Sequence, residues 1–452
     1  MEEIKNFELT KEFIDALREA IAQQQSSYIQ SLVNNYNIQD LSTILEELDF
    51  EESKYVLDLT SPEKRASIIN ELEEDIQSKF LKEYSPAEIA EIIENLDSDD
   101  AVDILGELSA KEREEVIAQI ENPEKEANIV DLLRYEADVA GGLMAKELIK
   151  ANAKWNVVQT IEEIRRQAEN VQKIYSVYVV DDHDILLGRI ALKKIILSED
   201  NTKISDIYDS EIISVQASME EEEVAAVMRK YDLEAIPVTN LHGKLLGRIT
   251  VDDILDVITE MADEERQLMS GITEDIEEDD SIWILTRARL PWLVIGVIGG
   301  LISAEFMGLF EKDIMSAAWI ALFLPLIQAT GGNVGIQSSS IVVQSLANPS
   351  LFKEGMWKRL SRVFIVALIN GIALGALVFV ATYFMNYDLD KCFIVSFALF
   401  FVVLLSSIVG TATPLTLNSL GFNPALASGP FITTLNDILG LAIYFYTIHL
   451  LL

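Results

Sequence analysis

The chain has 452 residues, 50% of them hydrophobic, with 35 Lys+Arg against 74 Asp+Glu and a formal net charge of −39. From Ser281 onward eight basic residues meet seven acidic ones, a balance of +1, so the first 280 residues carry −40. A surface this acidic repels nucleic-acid phosphates. The single Cys392 excludes a disulfide framework and a cysteine zinc site, and His183, His242 and His449 are too scattered for a histidine metal cage.

The N-terminus, MEEIKNFELTKEF, is acidic and lacks an apolar core, so no secretory signal is expected and the acidic half is expected in the cytoplasm. Residues 1–138 read as an acidic, all-helical domain. Ile89, Ile92, Ile93 and Leu96 recur at helical spacing. The phrases Leu45-Glu46-Glu47-Leu48-Asp49, Ile93-Glu94-Asn95-Leu96-Asp97 and Leu105-Gly106-Glu107-Leu108-Ser109 each end one helix and cap the next, which predicts a stack of helix pairs.

Residues 139–202 and 203–262 read as two α/β units. β-rich runs begin at Ile174 and Ala235, and each leads through a polar turn to the same five residues, Leu-Leu-Gly-Arg-Ile, at 186–190 and 245–249. An identical pentapeptide at a fixed offset of 59 residues, in matching context, marks a tandem duplication. The segment resembles a pair of cystathionine-β-synthase (CBS) domains, with Ile236-Pro237-Val238, Gly247-Arg248-Ile249-Thr250 and Asp253-Ile254 as its ending. The resemblance implies a regulatory module and makes ATP a candidate ligand, with Tyr175 and Tyr178 as rings that pack an adenine or fill the core.

Residues 263–286 read as a polar, acidic connecting helix. From 287 to 452 the composition is that of a transmembrane domain with five spans, near 288–310, 317–346, 361–385, 392–413 and 425–451, each long enough for a ~30 Å hydrocarbon core. Arg287, Arg289, Lys353, Lys358, Arg359 and Arg362 cluster on one side, which marks the cytoplasm and puts the C-terminus outside. The expected location is therefore the cell (inner) membrane.

Asp437 carries the chemistry. It is the last formally charged residue, about twelve positions into the fifth span, where a charge costs at least ~2.5–3.5 kcal/mol. No basic residue in the spans offers it a salt bridge, so a cation pathway is the economical reading against a protonated structural carboxyl. Gly429-Pro430 opens the span, and Thr433, Thr434 and Asn436 add hard oxygen donors that suit Mg²⁺, Ca²⁺ or Mn²⁺. The second span holds another polar run, Pro325 through Gly331-Gly332-Asn333-Val334-Gly335-Ile336-Gln337, with Asn333 and Gln337 on one face. Such residues line a cavity or permit close helix packing.

The two membrane phrases, together with Arg134-Tyr135-Glu136 and Ala140-Gly141-Gly142-Leu143-Met144, resemble the signature of MgtE-type magnesium channels over essentially the whole chain. The resemblance implies a homodimer with one pore on its two-fold axis, Asp437 as the selectivity carboxylate, and Pro325, Gly331, Gly332, Asn333, Gly335, Gln337, Gly429, Thr433, Thr434 and Asn436 along the pore. It implies cytosolic Mg²⁺ sites that lock the pore through the connecting, or plug, helix. The matching positions are Glu220, Glu222, Asp232, Asp253, Glu264 and Glu265, with Asp97 and Asp100 in the N-domain. Asn423 stands where some members carry an acid, which argues against an inner-mouth metal site. A secondary carrier of Mn²⁺, Co²⁺ or Ca²⁺ stays open, as does a nucleotide-sensing regulator of a membrane partner. No Ser–His or His–Glu constellation in the spans suggests an enzyme.

Overall fold

A computed structural model describes residues 9–168, 171, 173–273, 276, 281–346, 356–427 and 429–451. Lys353 of the basic loop, Asp279 and Asp280 of the connector and Ser428 of the last motif lie outside the described residues. The chain forms two units, Met1–Ile258 and Thr259–Leu452.

The first unit opens with short helices from Lys11 to Leu132. Their starts are encoded locally. Asp49, Ser85 and Ser109 each close a capping box with the Glu three residues on, Glu52, Glu88 and Glu112. Pro62, Pro86 and Pro123 occupy first turns, where the missing N–H costs nothing. The inward stripes, including Leu45, Leu57, Ile69, Ile93, Leu105 and Ile129, form one core.

Two three-stranded sheets follow, with the same topology. In the first, β1 (Ile149–Asn152) pairs in parallel with β2 (Val177–Val180), which pairs antiparallel with β3 (Leu186–Ile190). In the second, β4 (Val215–Gln216), β5 (Ala235–Thr239) and β6 (Leu245–Thr250) repeat that order. The repeated pentapeptide is thus β3 and most of β6. Its glycine is fixed by close approach: a Cβ on Gly188 would stand 2.1 Å from the Asp209 carbonyl oxygen, and one on Gly247 2.6 Å from that of Ala145. The first sheet's middle strand starts at Val177, three residues after the run that suggested it.

The helix Val251–Ser270 leaves β6 directly, without a break near 262. It stops at Gly271, which takes φ +81° while the Ile272 N–H donates to the Gln267 carbonyl at 3.0 Å, a glycine-closed helix end. The connector is therefore not one helix to 286, and the next begins at Ile282. The Gln267 side chain bonds both the N–H and the carbonyl of Ile276, and Thr273 donates twice to the Ala288 carbonyl.

Among its described residues the second unit contains five helical stretches long and apolar enough to cross a membrane: Ile282–Gly308, Trp319–Leu346, Leu360–Phe384, Leu389–Ser419 and Pro424–Leu451. The fourth supplies much of the core, with Val395, Leu399, Val402 and Val403 buried. Phe445 stacks on Phe310 at 4.7 Å, and the buried Tyr444 hydroxyl donates to the Ile320 carbonyl at 3.0 Å.

Candidate functional site

The fifth span begins with a joint. Gly429 has φ +58°, and a Cβ there would stand 2.3 Å from the Met269 carbonyl oxygen. A Cβ on Gly271 would lie 2.6 Å from Pro430 Cγ. The two glycines let the end of the connecting helix seat directly on the start of the last one. Thr433 then donates its hydroxyl to the Gly429 carbonyl at 3.0 Å.

Successive residues of the fifth span meet different neighbours, as a 100° step per residue requires. Thr434 packs on the first span, where a Cβ on Gly299 would come within 1.9 Å of its methyl. Asn436 packs on Gly335 of the second span. Thr433 and the half-buried Asp437 face Gly332, whose added Cβ would lie 3.4 Å from Thr433 Cγ2 and 3.8 Å from Asp437 Oδ1. Gly331 packs against Val402 and Ser406 of the fourth span. The glycines of the second span are thus contact points between helices.

Pro325, Asn333 and Gln337 lie on a different face of that span, exposed in the protomer. The face is continuous at i, i+4 spacing with Ala329, also exposed. Amides on such a face do not suit lipid.

In the first unit, carboxylates gather where the N-domain meets the second CBS repeat. Asp97, Asp99 and Asp100 start the helix Ser98–Gly106, and Asp252 and Asp253 start the helix Val251–Ser270. Asp253 accepts from both the N–H and the hydroxyl of Thr250 at 2.8 Å. Burial, then the charges of Asp252 and Asp100, push its carboxyl up to about 6 against those bonds. Burial and Glu147 push Asp97 up to about 6, although Arg248 opposes them. Asp99 is held well above the carboxylate range by burial and then by Asp100 and Asp253, and Asp100 is raised chiefly by burial. Sequence reasoning singled out Asp97, Asp100 and Asp253 and missed Asp99 and Asp252. The signal was there as two Asp doublets, Asp99-Asp100 and Asp252-Asp253, of which only the second member was taken.

Polar fasteners flank this cluster. Glu147 accepts from the Ser98 N–H at 3.0 Å and hydroxyl at 2.6 Å, and Lys125 stands 3.4 Å from Glu147. Arg248, 5% exposed in its side chain, reaches Asp97 at 3.5 Å, donates to the Lys173 carbonyl at 3.1 Å and lies over the Tyr175 ring at 5.1 Å. Tyr178 is buried in the core beside Val180 and Leu245. Of the two tyrosines, Tyr175 is the one that is only partly buried.

The other expected sensor residues lie at another helix or further along the one that Asp252 and Asp253 start. Glu220 and Glu222 are exposed at the start of the helix Glu221–Tyr231, and Asp232 is exposed at its end with φ +53°. Glu264 is exposed and Glu265 half-buried on the connecting helix. Among the described residues no three His, Cys, Asp or Glu side chains converge closely enough to form a bare metal cage.

The raised carboxyls fix a pH dependence. Unfolded Asp titrates near ~3.9. Stability contributed by Asp97 and Asp253 is therefore fully present below about 4 and lost as pH rises through about 6. Carboxyls held low by hydrogen bonds, such as Glu88 and Asp181, act only below their usual range. In Mg²⁺-free buffer the segment 1–258 should melt higher at pH 5 than at pH 7.5, and Asp253→Asn should flatten that difference. A melting temperature that rises from pH 5 to 7.5 would contradict the assignment.

An acidic part with paired CBS folds, followed by five helices long and apolar enough to cross a membrane and by a half-buried carboxylate, Asp437, well inside the last of them, defines a membrane cation-transport protein. Residues 324–447 match the family described as MgtE, divalent cation transporter; residues 36–138 match the MgtE intracellular N domain, and 204–260 a CBS domain. The magnesium transporter MgtE of Enterococcus faecalis is 33% identical over 71% of this chain and 71% of its own length. That of Thermus thermophilus is 32% identical over 73% and 74%. The cytosolic domain of the Mg²⁺ channel MgtE in complex with ATP superposes with a TM-score of 0.51 at 31% identity, covering 54% of this chain and 99% of that one. The chain belongs to the MgtE family of magnesium transporters.

Proposed function

We propose that this protein is a Mg²⁺-selective channel that admits Mg²⁺ down its electrochemical gradient and is closed by Mg²⁺ bound to its acidic soluble part. The observation that carries the reading is the pairing of Asp437 with Gly332 inside the membrane unit. A glycine opposite the carboxylate keeps side-chain bulk off its oxygens, so that they can meet the waters of a hydrated ion, as Mg²⁺ prefers. The exposed amide face of Asn333 and Gln337 fits a second copy of the chain related by a two-fold axis, which brings two Asp437 to one aqueous path. Gly331, Gly335 and Gly429 then serve as the packing that holds the pore helices, Thr433 lies beside the carboxylate, and Thr434 and Asn436 fix the helix against the first and second spans.

Closure rests on charge. The soluble part carries −40, and Asp97, Asp99, Asp100, Asp252 and Asp253 repel one another where its domains meet. Mg²⁺ bridges them and tightens the assembly. Glu220, Glu222, Asp232, Glu264 and Glu265 are further positions for such bridging, and the glycine joint at Gly271 and Gly429 passes the state of the connecting helix to the fifth span. The CBS pair is the part that would take ATP, beside Tyr175. The acidic part lies in the cytoplasm and the C-terminus outside the cell membrane.

The test is Mg²⁺ flux into liposomes holding the purified full chain, with micromolar or millimolar Mg²⁺ on the face that carries the acidic part. The expected result is flux that needs only a Mg²⁺ gradient and falls at least tenfold at millimolar Mg²⁺. Flux that requires a proton or Na⁺ gradient would replace the channel with a carrier, and flux indifferent to Mg²⁺ on that face would remove the closure mechanism.

A further inference from the structure

Asp437 and the glycine it faces sit in the middle of a helix pair that is tied on both sides of them. Gly332, Gly335 and Ser339 form one buried stripe of the second span at i, i+3 and i+7. Near the start of the fifth helical stretch the Ser339 hydroxyl donates to the Ala427 carbonyl at 3.3 Å. Toward its other end the Tyr444 hydroxyl donates to the Ile320 carbonyl at 3.0 Å. Seven residues separate Gly332 from Ser339, and seven separate Asp437 from Tyr444. Seven steps of about 100° return to nearly the same side of a helix, about 10 Å further along. Each bond therefore stands about two turns from the contact of Asp437 with Gly332, one on either side of it.

Packing alone does not explain a tyrosine at 444. The side chain is 0% exposed. A phenylalanine would fill the same space and need no partner, whereas a buried hydroxyl is costly unless it is bonded. The bond is made at a break in the second span. The helix Trp319–Leu322 ends there, the next begins at Leu324, and Pro325 has no N–H to give to the Ala321 carbonyl. The Phe323 N–H reaches the Ile320 carbonyl at 3.3 Å, so the tyrosine supplies the shorter bond to that oxygen. The carbonyls of a helix end need partners from outside the helix. Here the partner comes from the helix that carries the carboxylate.

We propose that Tyr444 and Ser339 are positioning residues of the cation path: their two bonds fix the fifth helix along the second, hold Asp437 at one height against Gly332, and so make the site discriminate Mg²⁺ from Ca²⁺. Neither side chain touches the ion. Discrimination between these two ions turns on the size and rigidity of the site, because Mg²⁺ keeps a regular octahedral shell and Ca²⁺ accepts larger and less regular ones. A carboxylate held in place offers a hydrated ion a single spacing, and a supporting shell is what holds it there. A carboxylate on a helix that can slide offers many spacings, and the larger ion then passes. The inference rests on the reading of Asp437 as the selectivity carboxylate.

The test is Tyr444→Phe in the full chain, in the liposome assay, with Mg²⁺ alone and then Ca²⁺ alone as the probe. The expected result is a ratio of Ca²⁺ to Mg²⁺ flux at least fivefold above that of the wild type. A role in stability alone lowers the amount of working protein and scales both fluxes alike, so it leaves the ratio where it was. A ratio raised by less than fivefold overturns the proposal, whatever happens to the total flux. Ser339→Ala loosens the other tie and should move the ratio the same way, and it decides the matter if Tyr444→Phe does not fold. Asp437→Asn runs beside them. If it keeps its Mg²⁺ flux, or if the wild type passes Ca²⁺ as readily as Mg²⁺, the transport reading itself fails. A wild type that selects Mg²⁺ through Asp437, with both variants keeping its ratio, defeats the positioning role alone.

Discussion

Asp437→Asn should lower Mg²⁺ flux by a factor of about 30 or more while leaving the membrane unit folded. The substitution is nearly isosteric, so the contact with Gly332 and the neighbouring Thr433 is kept. What it removes is the charge. At roughly 5 Å and an effective dielectric of about 20, a carboxylate and a divalent ion attract by about 6–7 kcal/mol. Desolvation offsets most of that, yet a remainder of about 2 kcal/mol already corresponds to a factor of about 30. The fifth span holds no Lys or Arg, so the substitution strands no basic partner there. Flux at the wild-type level in liposomes would return Asp437 to a structural role.

Much of the fold was legible because the sequence repeats itself. The pentapeptide at 186–190 and 245–249 announced two equal α/β units, and β3 and β6 lie there. The partners β1 and β4 were not legible. Four residues and two residues are too short to display a period of two, and pairing with β2 and β5 makes them strands. The capping phrases of the N-domain told where helices begin, since that information is local. The break at Gly271 was hidden in an acidic stretch with no punctuation except that glycine. What ends the helix there is the left-handed turn at Gly271, and the close approach of Pro430, from a distant part of the chain, leaves no room for a side chain at that position.

The site divides the same way. Asp437 stood out because a lone carboxyl in an otherwise uncharged span is costly there unless an ion, water or a proton compensates it. The roles of the second-span residues did not, because that helix is apolar on most faces and its rotation cannot be read from periodicity. The structure sorts them into packing glycines, Gly331, Gly332 and Gly335, and an exposed amide face, Asn333 and Gln337. Asn436 illustrates the limit: beside Asp437 it reads as one more oxygen donor, and only the packing of Gly335 and Gly410 reveals that its amide is sealed off. Asp99 shows the reverse case, an unremarked first-turn acid that becomes the most strongly perturbed of its cluster through burial between two domains.

That cluster gives the second large effect. In Mg²⁺-free buffer at pH 7.5, Asp99→Asn should raise the melting temperature of the segment 1–258, because it removes a buried charge that repels Asp100 and Asp253. Relief of one such charge is worth about 1–3 kcal/mol, and each kcal/mol moves a unit of this size by about 2–4 °C. Mg²⁺ should stabilise the wild-type segment by a different route. A ligand that binds only the folded state contributes about 2.7 kcal/mol at a hundredfold excess over its dissociation constant, or roughly 5–11 °C at the same conversion. The two effects draw on the same repulsion, so they should not add. The doubly substituted Asp99→Asn, Asp100→Asn segment should start higher without Mg²⁺ and gain less than half the wild-type increment when Mg²⁺ is added. Na⁺ at equal ionic strength should produce little of that increment, since screening acts weakly on buried pairs. An undiminished Mg²⁺ increment in the double variant would place the sensing ions elsewhere in the segment, among Glu220, Glu222 and Asp232, and would leave the Asp99 cluster as a repulsive contact that Arg248, through Asp97, holds closed without metal.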